Sequence, residues 1–294
     1  MKVKIIFMGT SQFGAIILEG LAQSDYKPCL VITTPDKPVG RKQIMTPPPV
    51  KISAQKYNIS IAQPEKIKNL ESKIKNLKPD LGIVAAYGYI LPQEILIIPK
   101  YGFLNVHPSL LPKYRGPSPI QTAILNGDKK TGVTIILMDE KMDHGPILAQ
   151  RELEFLISKK YTYLELSQEL AVKGANLLLE TIPRWVSNEI KPMPQDESKA
   201  TYTKILKKED GEIDWSKPAE KIERKIRAFN PWPGTFTFLK KNDKKLRIKI
   251  LEAGVSKNNK LIIKKLQPEG KKPMTFEEFK RGYLCSTTPN LKRE

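Results

Sequence analysis

The sequence predicts an α/β domain over residues 1–189, a linker over 190–203 and a small β-rich domain over 204–294. Three observations lead there. In the first part, apolar runs of strand length alternate with helical patterns, which is how a mostly parallel sheet covered on both faces reads. The stretch "EIKPMPQDESKATYT" then interrupts that texture with prolines and polar residues and shows no periodicity, as a linker does. Beyond it lie a short helical pattern and several short strand-like runs. A chain of 294 residues is also long for one core, so two domains are expected.

The elements follow in order. "VKIIFMG" reads as a buried strand ending in a glycine turn at Gly9, and "TSQFGAIILEGLAQ" as a helix with Thr10 or Ser11 at its N-cap. "KPCLVITT", "DLGIVAAYG", "GFLNVH" and "GVTIILMD" supply further strands, with helical patterns at Pro64 to Leu77 and Ile120 to Asn126 between several of them. "YTYLELSQELAVKGANLLLETIPRWVSN" carries apolar residues at helical spacing and closes the first domain as one long amphipathic helix. In the last part, "PAEKIERKIRAF" is a short helix, and "NPWPGTFTFL", "LRIKILEAG" and "KLIIKKLQ" are strands.

Composition narrows the function classes. Lys and Arg number 50 against 31 Asp and Glu, a formal charge of +19. From Thr201 onward the count is 24 basic to 12 acidic residues, and between Lys240 and Lys272 it is 12 to 3. A localised excess of that density suits a surface that follows a phosphate backbone. The two cysteines, Cys29 and Cys285, lie far apart and belong to no CxxC or Cys/His cluster, so neither a disulfide framework nor a metal site is expected. There is no 18-residue apolar run and no signal-peptide pattern, which points to the cytoplasm and away from a membrane.

The residues that could do chemistry gather around "FLNVHPSLLPKYRG", which holds one of only two histidines. Asn105 and His107 stand two apart at the end of a strand and therefore share a side of the extended chain. In open α/β sheets ligands bind beyond the carboxyl ends of the strands, and Asp143 follows the strand "GVTIILMD", so all three groups are expected at one sheet edge. An amide that can point at a developing oxyanion, an imidazole and a carboxylate together suit acyl-type transfer through a tetrahedral intermediate. His144 ranks below His107 because it sits in a turn-like "DHG" and is expected to face solvent. Ser109 and Ser118 stand in no G-x-S-x-G elbow and suit capping or turn roles. "GTSQFG" lacks a full G-x-G-x-x-G and no acidic residue ends the second strand, which disfavours a nicotinamide dehydrogenase. The loop from Thr33 to Lys51 holds five prolines with Lys37, Arg41, Lys42 and Lys51, an arm suited to an anionic partner.

These segments resemble the methionyl-tRNA formyltransferase family along nearly the whole chain. The resemblance is carried by "FMGTSQFGA", "TTPDKPVGR", "VAAYGYILP", "NVHPSLLPKYRGPSPIQTAILNGDKKTGVTI", "MDEKMDHGPIL", "TYTKILKKEDGEIDW", "IRAFNPWPG" and "LQPEGKKPM". It implies a Rossmann-like formyltransferase domain with a mostly parallel sheet, joined to a small OB-like barrel. It implies transfer of a formyl group from 10-formyltetrahydrofolate, used as a co-substrate with no permanently bound cofactor, to initiator methionyl-tRNA by a monomer. The family's catalytic Asn, His and Asp fall on Asn105, His107 and Asp143. Its folate-contacting segment falls on Ser109, Leu110, Leu111 and Pro112, with Ala86, Tyr87 and Gly88 as further walls. Its tRNA-reading insertion falls on the loop with Lys37, Arg41 and Lys42, Arg41 matching the key contact. In the family the stretch matching "RIKILEAGVSKNNKLIIKKLQPEGKKPM" is longer, so a shortened or incompletely closed barrel is expected here. Another 10-formyltetrahydrofolate-dependent formyltransferase or hydrolase, or a non-catalytic RNA-binding protein, are the alternatives.

Overall fold

The strands and helices of the first part alternate as the apolar runs require: β1 (Ile5–Gly9), α1 (Gln12–Ala22), β2 (Leu30–Ile32), β3 (Lys37–Val39), β4 (Ile44–Thr46), α2 (Pro49–Lys56), β5 (Ser60–Ala62), α3 (Glu71–Leu77), β6 (Leu81–Ala85), α4 (Gln93–Leu96), β7 (Phe103–His107), α5 (Pro119–Asn126), β8 (Lys130–Leu137), β9 (Ile147–Glu154) and α6 (Tyr163–Val186). The remainder forms α7 (Ala219–Phe229), β10 (Thr235–Lys241), β11 (Lys244–Val255), β12 (Leu261–Pro268), β13 (Met274–Thr275) and α8 (Phe276–Tyr283). The structure is a computed structural model that describes residues 3–40, 42–154, 160–241 and 244–283. By its contacts the chain divides into one unit of residues 1–119, 129–155 and 166–204 and a second of 120–128, 156–165 and 205–294. Among the described residues no helix is long and apolar enough to cross a membrane.

A seven-stranded sheet in the order β5-β2-β1-β6-β7-β8-β9 forms the centre of the first unit. The strands from β5 to β7 pair in parallel, and β8 and β9 add antiparallel pairings. β1, β6 and β7 are buried at every position, as near-continuous apolar strands of a doubly covered sheet should be. On one face Ile6, Met8, Ile32, Val84 and Phe103 pack with Ile74, Ile95 and Leu96 from α3 and α4. Full burial of each such aliphatic side chain contributes about 1.5–3 kcal/mol. On the other face Val106 and Val133 meet α6 at Gly174, where an added Cβ would lie 2.8 Å from Val106.

Three features depart from the sequence reading. The expected helix from Pro64 to Leu77 is a 3-10 turn over Ile67–Leu70 leading into α3. The proline-rich arm contains a two-stranded hairpin, β3 with β4, followed by α2, which starts with Pro49 in its first turn, where the missing N–H costs nothing. The stretch read as a linker is strapped onto the first unit. Ile147 and Met193 exchange backbone hydrogen bonds at 2.8 and 2.9 Å, and the Arg115 N–H donates to Thr201 O at 2.8 Å. Backbone donors and acceptors held near buried strands must find partners, and here the strap and its hosts satisfy one another.

The second unit contains the antiparallel sheet β10-β11-β12-β13, whose inner face packs Ile248, Ile250 and Leu266 against Ile222 and Ile226 of α7 and Phe279 of α8. Among the described residues β10 and β13 do not pair, so the sheet is open. The short "SKNNK" connection, Ser256 to Lys260, between β11 and β12 leaves no room for additional strands. That agrees with the incompletely closed barrel expected from the sequence.

Candidate active site

Strand β7 alternates its side chains between two environments. Leu104 and Val106 lie on one side and Phe103, Asn105 and His107 on the other, and all five residues are buried. Asn105 and His107 thus stand on the face that carries α3 and α4. A strand whose carboxyl end swaps apolar for polar residues on one face cannot bury them without hydrogen bonds.

The bonds they make define the site. The Asn105 side-chain amide donates to Asp143 Oδ1 at 3.0 Å. The other carboxylate oxygen, Oδ2, accepts from the Gly116 backbone N–H at 2.8 Å and lies 3.5 Å from His107 Nδ1. His107 Nε2 faces the Tyr114 carbonyl oxygen at 2.9 Å, so that nitrogen is the donor. Of the three groups singled out in the sequence, Asn105 and His107 both meet Asp143, the first by a hydrogen bond and the second at 3.5 Å.

Their route to that point differs from the expected one. Because β8 runs antiparallel to β7, its last residue, Leu137, pairs with Leu104, whereas His107 pairs with Thr134. The exit of β8 is therefore at the far end of β7, and Asp143 does not come from a neighbouring exit at the same edge. Instead the segment after β8 folds back across the face. Its return turn brings Gly145 so close to Leu137 that a Cβ there would lie 1.8 Å from the Leu137 carbonyl oxygen. Asp143 itself has a φ of +51°, a left-handed conformation that Asp tolerates better than most residues. His144 does not simply face solvent: it is one-third exposed, and its Nδ1 pairs with Asp139 Oδ2 at 2.6 Å.

The segment predicted to contact folate is organised by a residue the sequence reading passed over. Thr134, buried in β8, donates to the Ser109 carbonyl oxygen at 2.7 Å and accepts from the Leu111 N–H at 3.1 Å. Gln150 donates to the same hydroxyl at 3.0 Å and to the Leu111 carbonyl at 2.7 Å. Ser109 donates its hydroxyl to Lys113 O, a turn bond, and Ser118 donates to Lys204 O. Leu110 lies against Gly132, Leu111 packs with Ile136 and Ile147, and a cis peptide joins Leu111 to Pro112. Just after β6, Ala86 with φ +49° and Gly88 with φ +84° turn the chain so that Ala86 is exposed while Tyr87 is buried. Burial pushes the Tyr87 phenol up to about 12, and its Oη has no hydrogen-bond partner among the described residues. Thr10 holds this turn by donating its N–H to Ala86 O and its hydroxyl to Tyr87 O. Gly14 lets α1 approach β6, since a Cβ there would meet Ala85 O at 2.6 Å, so the second glycine of "GTSQFG" is required by helix–strand packing.

The arm and the second unit carry the cationic surface. Lys37 and Lys42 are exposed on the β3–β4 hairpin, beside exposed Val39, Ile44 and Met45, and Arg41 lies outside the described residues. Lys51 is paired with Asp36 at 2.8 Å and anchors the base of the arm. Hydrogen bonds from Gln63 and Lys51 hold the Asp36 carboxyl below its usual range. In the second unit exposed Lys245 lies 4.8 Å from the half-exposed Phe238 ring, and Arg247 stacks 3.7 Å from the buried Phe236 ring. Cations interleaved with aromatic rings form the kind of surface on which nucleic acids bind.

Comparison with known proteins agrees with this architecture. Residues 1–182 match the formyl transferase family and residues 205–261 the formyl transferase C-terminal domain. A methionyl-tRNA formyltransferase of Bacillus velezensis is 44% identical over 95% of this chain and 94% of its own length. One from a Geobacillus species is 43% identical over 99% and 98%. Among solved structures, the methionyl-tRNA formyltransferase from Clostridium thermocellum superposes with a TM-score of 0.60 at 24% identity, covering 90% of this chain and 98% of that one. An N-formyltransferase from Helicobacter canadensis, in complex with folinic acid and dTDP-3-aminofucose, gives 0.63 at 22% identity over 86% and 88%. With both formyl transferase domains matched and these relatives alike from end to end, the chain belongs to the methionyl-tRNA formyltransferase family.

Proposed function

We propose that this protein transfers the formyl group of 10-formyltetrahydrofolate to the α-amino group of methionyl-tRNA, giving the formylmethionyl-tRNA used to start translation. The observation that carries the reading is the contact of Asn105 and His107 with Asp143, in a chain whose relatives are methionyl-tRNA formyltransferases along nearly their full length.

The chemistry follows from the geometry. The uncharged amine attacks the formyl carbon, and the carbonyl oxygen gains negative charge as the carbon becomes tetrahedral. Asn105 spends one amide N–H on Asp143 and has a second to offer that oxygen. A well-placed donor of this kind lowers the barrier by about 2.7–4 kcal/mol. Asp143 and His107, 3.5 Å apart, take the proton released by the attacking nitrogen, directly or through one water. Collapse of the intermediate breaks the bond to N10 of the folate, which receives that proton. Ser109 to Pro112 together with Ala86, Tyr87 and Gly88 wall the folate site. Lys37, Arg41, Lys42 and the basic face of the second unit hold the tRNA.

The protein acts as a monomer in the cytoplasm, with residues 1–189 forming the catalytic domain and 204–294 the tRNA-binding domain. Light scattering tests the first point. Incubation with methionyl-tRNA and 10-formyltetrahydrofolate, followed by mass analysis of the esterified amino acid, tests the activity. Formylmethionine is the expected product. Formylation of a nucleotide-linked amino sugar in its place would overturn the reading.

A further inference from the structure

The strap of residues 190–204 reaches the catalytic loop through one side chain. Gln195 donates its Nε2 to the carbonyl oxygens of both Asp143 and Gly145, each at 2.8 Å, and so ties together the residue before His144 and the residue after it. Its Oε1 accepts from Arg115 Nε at 3.0 Å and Nη2 at 2.9 Å. Arg115 is fully buried, and its guanidinium is further held by Glu197, at 2.6 Å and 3.0 Å, and by the Tyr202 hydroxyl at 3.0 Å. The residue after Arg115 is Gly116, whose N–H binds the Asp143 carboxylate. Asp143 is thus fixed at its carboxylate by the chain following β7 and at its backbone by the strap, and Arg115 joins the two.

We propose that Gln195, clamped by Arg115 and Glu197, is a positioning residue that sets the Asp143 carboxylate against Asn105 and His107. The proposal rests on the catalytic reading of those three residues given above. Asp143 sits in a left-handed conformation on a segment that crosses a sheet face, so its own backbone does not dictate where its carboxylate points. A buried arginine with five donors satisfied by a glutamine, a carboxylate and a phenol is a rigid anchor, whereas a lone surface loop is not. Glutamine suits the bridge because its amide offers two donors to the loop and an acceptor to the arginine. Glutamate would lose the donors and methionine all four bonds. No folate or tRNA contact is needed for this role.

The test is a double-mutant cycle of Gln195→Met with Asp143→Asn, read in single-turnover formylation of methionyl-tRNA. Gln195→Met alone is expected to lower the rate roughly 10- to 100-fold, as displacement of a catalytic group by about 1 Å does. The KM for methionyl-tRNA should stay near wild type, the thermal midpoint should fall because two buried Arg115 donors lose their acceptor, and the rate at temperatures where the variant is fully folded should still be lowered, with the acidic limb of the pH–rate profile moved. In the Asp143→Asn background the same substitution should have no further effect on rate, because the group it positions is already disabled. An equal loss in both backgrounds, a loss confined to KM or to stability, or a wild-type rate would overturn the proposal. If Gln195→Met fails to fold, Glu197→Gln replaces it: it keeps the shape, weakens the clamp on Arg115, and should give a smaller loss with the same dependence on Asp143. A wild-type protein that does not form formylmethionyl-tRNA would instead refute the assigned reaction and is seen in the first arm.

Discussion

The side-chain amide of Asn105 donates to the carboxylate of Asp143 across 38 positions of sequence, and the same carboxylate lies against His107. One aspartate therefore bridges the two polar side chains that β7 turns toward the same face. Removal of any member leaves the others with unmatched buried polar groups as well as without a partner in catalysis.

Asn105→Ala should lower kcat by roughly 10²–10³, the cost of an absent oxyanion donor. The KM for methionyl-tRNA should hardly move, since Asn105 is nine-tenths buried and the cationic surface is elsewhere. Steady-state kinetics with both substrates check this. A loss confined to KM would remove Asn105 from the chemical step.

Gly145→Ala should disable the enzyme although the residue offers no functional group. The new Cβ would meet the Leu137 carbonyl at 1.8 Å, backbone against side chain, with no flexible end to yield. The turn must open, which moves Asp143. A lowered thermal midpoint together with lost turnover is expected, and retention of both would show that the segment closes differently.

Lys37→Ala and Lys42→Ala should weaken use of tRNA and spare folate. Each exposed cation that contacts a phosphate adds roughly 0.7–0.9 to the slope of log affinity against log salt. A salt titration of tRNA binding by each variant should show that reduction, and an unchanged slope would take the hairpin out of the interface.

Acid should release the strap before it melts the sheet. Hydrogen bonds from Arg115, the larger cause, and its nearby charge hold the Glu197 carboxyl below its usual 4.5. Hydrogen bonds from Ser198 and Lys199 lower Asp196 to about 2. Groups depressed on folding stabilise the folded form above their unfolded values and cease to do so as pH falls through the folded ones. Pepsin should therefore spare residues 190–204 near about pH 5 and cut there first as pH drops toward about 2. Cleavage of the strap already near neutrality, or only together with the sheet, would contradict the expected order.

Much of this was legible in the sequence where periodicity and residue chemistry agree. β1, β6 and β7 are apolar runs, and "NVH" placed two polar groups on one side of a strand. What stayed hidden depends on contacts distant in sequence. The direction of β8 is not encoded in "GVTIIL", since a strand buried on both faces reads alike in either orientation. β9 alternates buried and exposed residues only partly, and the segment that became the strap has no periodicity because its order comes from bonds to Pro112, Arg115 and Ile147 rather than from its own pattern. α8 did carry a local signal, since Thr275 and Glu278 form the reciprocal bonds of a capping box. Thr134 and Gln195 carried none: a threonine in a strand and a glutamine in a polar stretch acquire their roles only from what lies opposite.

The central claim is that Asn105, His107 and Asp143 perform the formyl transfer. Single-turnover formylation of methionyl-tRNA by His107→Ala, with tRNA affinity measured in parallel, tests it most directly. The rate should fall by roughly 10²–10⁴ with affinity unchanged. A variant that formylates at the wild-type rate would contradict the account.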